Sequence, residues 1–170
     1  MGQETIIIEG DNKLLNSPLE LGLRALFILN AVGPQGCDLD RMCIYDYLLT
    51  HSSDVEGGPP SLHPAIPHRA AEVLVKKGIM EKGLLLMQSK DLINASFGSD
   101  GITFKANKLT QPFLAYQDSA YAKNLLSISE WLAQKFANYS NKELNSYVNG
   151  NLEIWGGEFI RESIIRTTAL

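Results

Sequence analysis

The 170-residue sequence has few cysteines, no surplus of positive charge and no long apolar run. Two cysteines, Cys37 and Cys43, are too few for a disulfide framework, and Cys43 falls in an apolar helical pattern typical of a buried free thiol. A net charge of −4 excludes a general nucleic-acid coat protein, so any DNA contact needs a local basic patch. No apolar run approaches the roughly 20 residues that span a bilayer, and the first residues lack the basic start of a signal peptide. We therefore expect a soluble, cytoplasmic protein.

The sequence also lacks the short motifs of nucleotide-binding proteins and of common hydrolases. Neither G-x-x-x-x-G-K-[ST] nor G-x-G-x-x-G occurs, and Gly57-Gly58 is followed by prolines rather than by a helix N-terminus that could bind phosphate. There is no G-x-S-x-G elbow, and a triad of Ser61, His63 and Asp54 would have to form within one loop, which triads rarely do. We expect no cofactor and no enzymatic activity.

The candidate metal ligands are Cys37, Cys43, His63 and His68. The two histidines have prolines between them, and the two cysteines fall on separate structural units. Zinc sites instead take their ligands from two tightly spaced clusters. We therefore expect no metal site.

Three helices and a hairpin can be placed from capping signals and apolar periodicity. The first helix begins after Ser17, in the capping box S-P-L-E, and ends at Gly33-Pro34. Asp38 caps a second helix that continues to about residue 50. A proline-rich loop over residues 51–66 precedes a third helix over residues 67–89, which we expect to be one long element rather than two short ones. Residues 92–97 and 102–106 then flank the turn G-S-D-G and form a hairpin.

The ends of the chain are less regular. Residues 5–8 form a β-branched run that could pair at a sheet edge, and residues 120–136 carry the stripe of an amphipathic helix. A short helix over residues 142–148 is an open alternative. Residues 152–170 are apolar and include Trp155, Phe159 and Ile160, so this tail either packs on its own domain or docks on a partner.

Helix, helix, helix and hairpin is the element order of a winged helix-turn-helix, in which the hairpin is the wing. We predict a mainly α (α+β) fold with such a domain over residues 1–113 and a C-terminal helical extension over residues 114–170. A DNA-reading winged helix places its third helix in the major groove. The candidate DNA contacts are Lys76, Lys77, Lys82 and Lys90 on that helix and Lys105 in the wing. A solvated face that docks on protein is the alternative interpretation, and we favour it.

The segment N-S-P-L-E-L-G-L-R-A-L-F-I-L-N (residues 16–30) is followed by D-Y-L-L-T-H-S (46–52) and G-G-P-P-S-L-H-P-A-I-P-H-R (57–69). With L-V-K-K-G-I-M-E-K-G-L-L-L-M-Q-S-K-D-L (74–92), these strings resemble the middle component (type 2) of three-component ABC-ATPase systems, a set that includes Lamassu-like anti-phage defence operons. The resemblance covers roughly residues 16–113.

The resemblance implies a non-catalytic adaptor encoded beside an SMC-like (Rad50-like) ATPase and a nuclease-like effector, with double-stranded DNA reached through the complex. The matched loop is stiff because four prolines fix its backbone, which lowers the entropy lost on docking. The candidate docking residues are Gly57, Gly58, Pro59, Pro60, Ser61, Leu62, His63, Pro64 and Arg69 in the loop, and Trp155, Phe159 and Ile160 in the tail. A stand-alone winged-helix DNA-binding regulator is the alternative function.

Overall fold

The computed structural model describes residues 16–64 and 69–156, and within them the chain is mainly helical with one antiparallel hairpin. The elements are α1 (Pro18–Val32), α2 (Leu39–Thr50), α3 (Arg69–Ser89), β1 (Ile93–Gly98), β2 (Gly101–Ala106), α4 (Thr110–Ala115), α5 (Ala120–Lys135) and α6 (Asn141–Gly156). The predicted order of three helices and a hairpin is confirmed, and α3 is one long helix. The predicted strand at residues 5–8 lies outside the described residues, as does the tail beyond Gly156.

Local capping signals account for where the helices begin. The Ser17 hydroxyl accepts a hydrogen bond from the Glu20 amide at 3.2 Å, and the Asp38 carboxylate accepts one from the Arg41 amide at 2.8 Å. The hydroxyl of Ser119 does the same at the start of α5. These bonds satisfy amide groups that a helix cannot pair within itself, and the caps at Ser17 and Asp38 lie where the sequence predicted them.

The last helix is longer than the segment expected at residues 142–148. A reciprocal capping box starts it, because the Glu143 carboxylate accepts from the Ser140 amide at 2.8 Å and the Ser140 hydroxyl from the Glu143 amide at 3.2 Å. The helix then continues to Gly156, since Leu144 and Val148 are buried along one side and Trp155 packs at its end. Tertiary contacts therefore extend an element that looked weak in the asparagine-rich sequence.

Helix α2 lies at the centre of the fold. Every residue from Met42 to Thr50 is buried, and the helix contacts α1, α3, α5, α6 and β2. Side chains from both predicted segments, from Leu21 to Val148, belong to one hydrophobic core. The division at residue 113 stays a prediction.

Helices α1 and α3 cross at a pair of glycines. A Cβ on Gly83 would lie 2.6 Å from the carbonyl oxygen of Pro18 and 2.8 Å from the amide nitrogen of Gly22. A Cβ on Gly22 would in turn lie 2.8 Å from the Gly83 carbonyl oxygen. The two backbones therefore approach more closely than any side chain would permit.

The hairpin is joined to the helical body by a third extended segment. Cys37, between α1 and α2, exchanges two backbone hydrogen bonds with Phe104 of β2, at 2.9 and 2.8 Å. The preceding Gly36 has φ +66°, and a Cβ there would collide with the Phe104 carbonyl. Cys37 therefore extends the hairpin pairing towards the helices.

Among the helices within residues 16–64 and 69–156, none is both long and apolar enough to cross a bilayer.

Alanine substitutions at Gly83 and Gly78, both in α3, should have opposite effects. Gly83→Ala forces the α1–α3 crossing apart and should lower the free energy of unfolding by about 1–3 kcal/mol. A Cβ on Gly78 would have no neighbouring atom within 4 Å, so Gly78→Ala should raise stability by about 0.5–1 kcal/mol through helix propensity. Urea denaturation of the two variants measures both. A stability gain at Gly83 equal to that at Gly78 would contradict the close crossing.

Candidate functional site

The charged side chains with the most specific geometry form an ion pair in the interior. Arg24 of α1 donates from Nε to Asp46 Oδ1 at 2.5 Å and from Nη2 to Asp46 Oδ2 at 2.9 Å. Their exposed fractions are 0% and 1%. Glu20, one turn earlier on α1, places a carboxylate oxygen 3.7 Å from Arg24 Nη1. The two-point contact fixes α1 against α2 in both distance and rotation.

Further polar groups from three other segments surround this pair. Lys76 of α3 is 6% exposed, and His63 of the loop is 9% exposed. The His63 Nε2 atom lies 3.0 Å from the hydroxyl of Tyr121 on α5, and the two rings are nearly parallel. We name these five residues, Arg24, Asp46, His63, Lys76 and Tyr121, the buried polar cluster.

The electrostatics of the cluster follow from burial and from its positive charges. Burial is the largest single influence on the pKa of Asp46 and would raise it, but the charge and hydrogen bonds of Arg24, together with the charge of Lys76, hold that pKa below its usual value. The Asp46 carboxylate in turn raises the pKa of Arg24, although burial alone would lower it. Burial, then Arg24 and Lys76, lower the pKa of His63 from 6.5 to about 4. At neutral pH Asp46 is therefore ionised and His63 is neutral.

The proline-rich loop is held against the end of α2 by its own hydrogen bonds. The amides of Leu62 and His63 both donate to the carbonyl oxygen of Thr50, at 3.1 and 3.0 Å. The Ser61 hydroxyl accepts from the Ser53 amide at 3.1 Å and lies 2.5 Å from the Ser53 hydroxyl. The loop is thus fixed by hydrogen bonds as well as by its prolines.

The candidate triad residues are directed to separate partners. Ser61 binds Ser53, and His63 directs its Nε2 to Tyr121. Asp54 accepts a hydrogen bond from the Tyr47 hydroxyl at 2.7 Å. This arrangement is that of a hydrogen-bonded loop and not of a nucleophile activated by a base.

The candidate metal ligands are also separated. Cys37 and Cys43 are both buried, and burial raises the pKa of each thiol to about 12, so both are protonated at neutral pH. His68 lies outside the described residues. Within the described ranges, no group of three or more histidine, cysteine, aspartate and glutamate residues could hold a metal ion.

Only part of the predicted docking loop faces solvent. Gly57, Pro60 and Pro64 are exposed, whereas the interior of the loop is partly covered, at Gly58, Pro59, Ser61 and Leu62. His63, a candidate docking residue, is buried, because its ring is packed against Tyr121. Arg69 is the first residue of α3.

The beginning of the predicted tail packs on its own domain. The Trp155 ring centroid lies 5.9 Å from that of Tyr47 on α2 and 6.3 Å from that of Tyr147. Of the two open alternatives, folding back on the domain is therefore observed at Trp155. Phe159 and Ile160 lie outside the described residues.

The predicted DNA-contacting lysines do not form one surface. The prediction that Lys76 contacts DNA is wrong, because its side chain is buried beside the Arg24–Asp46 pair and does not face solvent. Lys77 is half exposed and lies 2.5 Å from the Asp40 carboxylate. Lys82 and Lys90 are exposed, and Lys105 is partly buried on β2.

Sequence reasoning missed Arg24, Asp46 and Tyr121. A usable signal was present, since Arg24 is the single charge in L-G-L-R-A-L-F-I-L and Asp46 the single charge in C-I-Y-D-Y-L-L. An isolated charge in an otherwise buried helix needs a partner of opposite charge. The sequence does not indicate that the two segments supply partners for each other.

A comparison with models of protein families gives a match over most of the chain. The family model described as "ABC-three component (ABC-3C) system Middle Component 2" matches residues 14–158. No curated protein and no solved structure matches the chain.

Breaking the internal ion pair from one side should destabilise the protein severely. Asp46→Asn leaves the Arg24 charge buried without its counter-ion, so we expect a loss of about 3–5 kcal/mol in urea denaturation. Asp40→Asn on the same helix is the matched control, because its pair with Lys77 is exposed and should contribute less than about 1 kcal/mol. The double variant Arg24→Met/Asp46→Leu should recover most of the loss. Equal effects at positions 46 and 40 would refute the role of burial.

Stability should fall as the pH is lowered from 6.5 towards 4. His63 has a lower pKa in the folded state than in the unfolded state, so the unfolded state binds more protons in this window and is favoured by acid. His63→Gln keeps a polar group beside Tyr121 but cannot titrate. Free energies of unfolding measured at several pH values should therefore depend less steeply on pH in the variant. Parallel curves would contradict the neutral, buried His63.

Proposed function

Because the chain belongs to the ABC-three component system Middle Component 2 family, it is a component of a multi-subunit system, and we propose that it is the non-catalytic adaptor of that system. It bridges an SMC-like ATPase and a nuclease-like effector in a Lamassu-like anti-phage or anti-plasmid defence complex. Double-stranded DNA is reached through the complex rather than by this chain alone.

The observation that carries the proposal is that the reactive polar side chains of the matched region bind other groups of the same fold. Arg24, Asp46 and His63 have the chemistry of a site, but they lie inside the fold and bind one another or neighbouring helices. Ser61, the candidate nucleophile, is hydrogen bonded to Ser53. These groups stabilise a defined shape, which is what a subunit that acts by contact requires.

The arrangement of elements supports a winged-helix architecture for this adaptor. Three helices precede the hairpin, and Cys37 between α1 and α2 pairs with β2 as the short first strand of a winged helix does. The α2–α3 connection over residues 51–68 is much longer than the three- or four-residue turn of a DNA-binding helix-turn-helix. This departure favours a winged helix adapted to protein contacts.

The exposed part of the loop is the first docking surface that we propose. Gly57, Pro60 and Pro64 face solvent, while bonds from Leu62 and His63 to Thr50 hold the loop in place. A surface that is already ordered loses little conformational entropy on association. Together with the tail that follows Trp155, it offers contacts to two different subunits.

The regulator alternative depends on two exposed lysines, one on α3 and one directly after its end. Lys82 and Lys90 are both exposed and could contact DNA phosphates, which is the observation that favours this alternative. However, the same outward side of α3 presents Glu81 and also Leu85, which is 53% exposed. An acidic and an apolar residue on the reading helix favour a protein partner over DNA.

Co-expression with the ATPase and the effector encoded beside this chain tests the adaptor function. We expect the three proteins to co-elute on size exclusion, and we expect the ATPase and effector to separate when this chain is left out. Pro60→Glu, in the exposed loop, should weaken the assembly, whereas Pro112→Glu at another exposed proline should not. Assembly of ATPase and effector without this chain would refute bridging. Salt-sensitive duplex binding by the chain alone would favour the regulator.

A further inference from the structure

One face of the hairpin is apolar along its whole length. Directly opposite residues of an antiparallel pair share a face, so Ile93 with Ala106, Ala95 with Phe104, and Phe97 with Ile102 lie on the same side. Ile93 and Phe104 are buried against the helical body, and the alanines are partly buried. The apolar face therefore begins as part of the core.

The same face continues beyond the body. All residues from 96 to 102, which we name the hairpin tip, are exposed. Phe97 is 80% exposed and its cross-strand partner Ile102 is 43% exposed. An aromatic ring and a β-branched side chain are thus presented together on a surface that the described part of the chain leaves open to solvent.

The base of the hairpin is held by several hydrogen bonds, which fix the direction in which the tip projects. The Asn107 side-chain amide donates to the Asp91 carbonyl at 2.8 Å and to the Asn94 side chain at 3.2 Å. The Thr110 hydroxyl donates to the Leu92 carbonyl at 2.6 Å, and Cys37 pairs with Phe104. Because the base is fixed, little order has to be gained when the tip binds.

The charge of the hairpin tip indicates which class of molecule it binds. Residues 95–104 include neither lysine nor arginine, and Asp100 in the turn supplies one negative charge. Such a tip offers no positive charge to a phosphate, so it fits a nucleic-acid groove or an anionic lipid surface poorly. Exposed aromatic residues of this kind are typical anchors of protein interfaces.

We propose that the hairpin tip is a further docking surface, which inserts Phe97 and Ile102 into an apolar pocket of another protein subunit of the same system. Asp100 lies against a lysine or arginine at the rim of that pocket. This inference rests on the proposed adaptor function and names a contact distinct from the loop and the tail.

The test compares three variants of the full-length chain in binding to the purified ATPase and to the purified effector. The double variant Phe97→Ser/Ile102→Ser should bind one of these subunits at least about tenfold more weakly. Asp100→Lys should weaken binding to the same subunit, with the largest effect at low salt. The matched control is Tyr116→Ser, since Tyr116 is 85% exposed but lies outside the hairpin, and it should bind normally. All variants should keep the melting temperature within about 2 °C.

The outcomes separate this inference from the proposed function. If the unmodified chain binds neither subunit, both the adaptor function and the docking tip are refuted. If it binds and the double variant binds equally well, the adaptor function stands and the docking tip is refuted. Self-association that the double variant abolishes would assign the tip to a second copy of the chain, and loss of duplex DNA binding would assign it to nucleic acid. Either result overturns the proposed partner.

Discussion

The structure depends on excluding water from the ion pair between Arg24 and Asp46. Arg24 and Asp46 can lie together without water only if α1, α2, α3 and the proline-rich loop all surround them. A buried ion pair contributes little net stability compared with apolar residues, because both charges lose their hydration. The ion pair instead makes one packing of α1 on α2 more favourable than the others, because any other register would bury the two charges apart from each other. The matched family region is thus built around a polar centre that specifies the arrangement of its helices.

Local chemistry explains why most element boundaries could be predicted. Ser17 and Asp38 supply hydrogen bonds to helix starts that lie within three residues of them, and G-S-D-G supplies a turn between its own strands. These signals do not require knowledge of the rest of the chain. The full length of α6 and the pairing of Cys37 with Phe104 were not predicted, because both depend on residues far away in the sequence.

The residues of the candidate site were harder to predict, and the reason is physical. Lys76 and Lys77 are neighbours on α3, yet one is buried at the ion pair and the other is bonded to Asp40 near the surface. A change of one position turns a helical side chain by about 100°. Sequence periodicity therefore predicts that a helix has two faces, but an error of one residue exchanges core and solvent. His63 was likewise predicted to contact a partner, although its ring packs inside.

The glycine crossing of α1 and α3 has a consequence for the order of folding. The Arg24–Asp46 pair closes a loop of 22 residues, whereas contact between Gly22 and Gly83 closes one of about 60. Loop-closure entropy makes the second closure roughly 1 kcal/mol more costly than the first. Loop-closure entropy therefore favours contact between α1 and α2 before contact between α1 and α3. Since α3 also covers the ion pair, closing the crossing and removing water from the two charges are the same event in this fold.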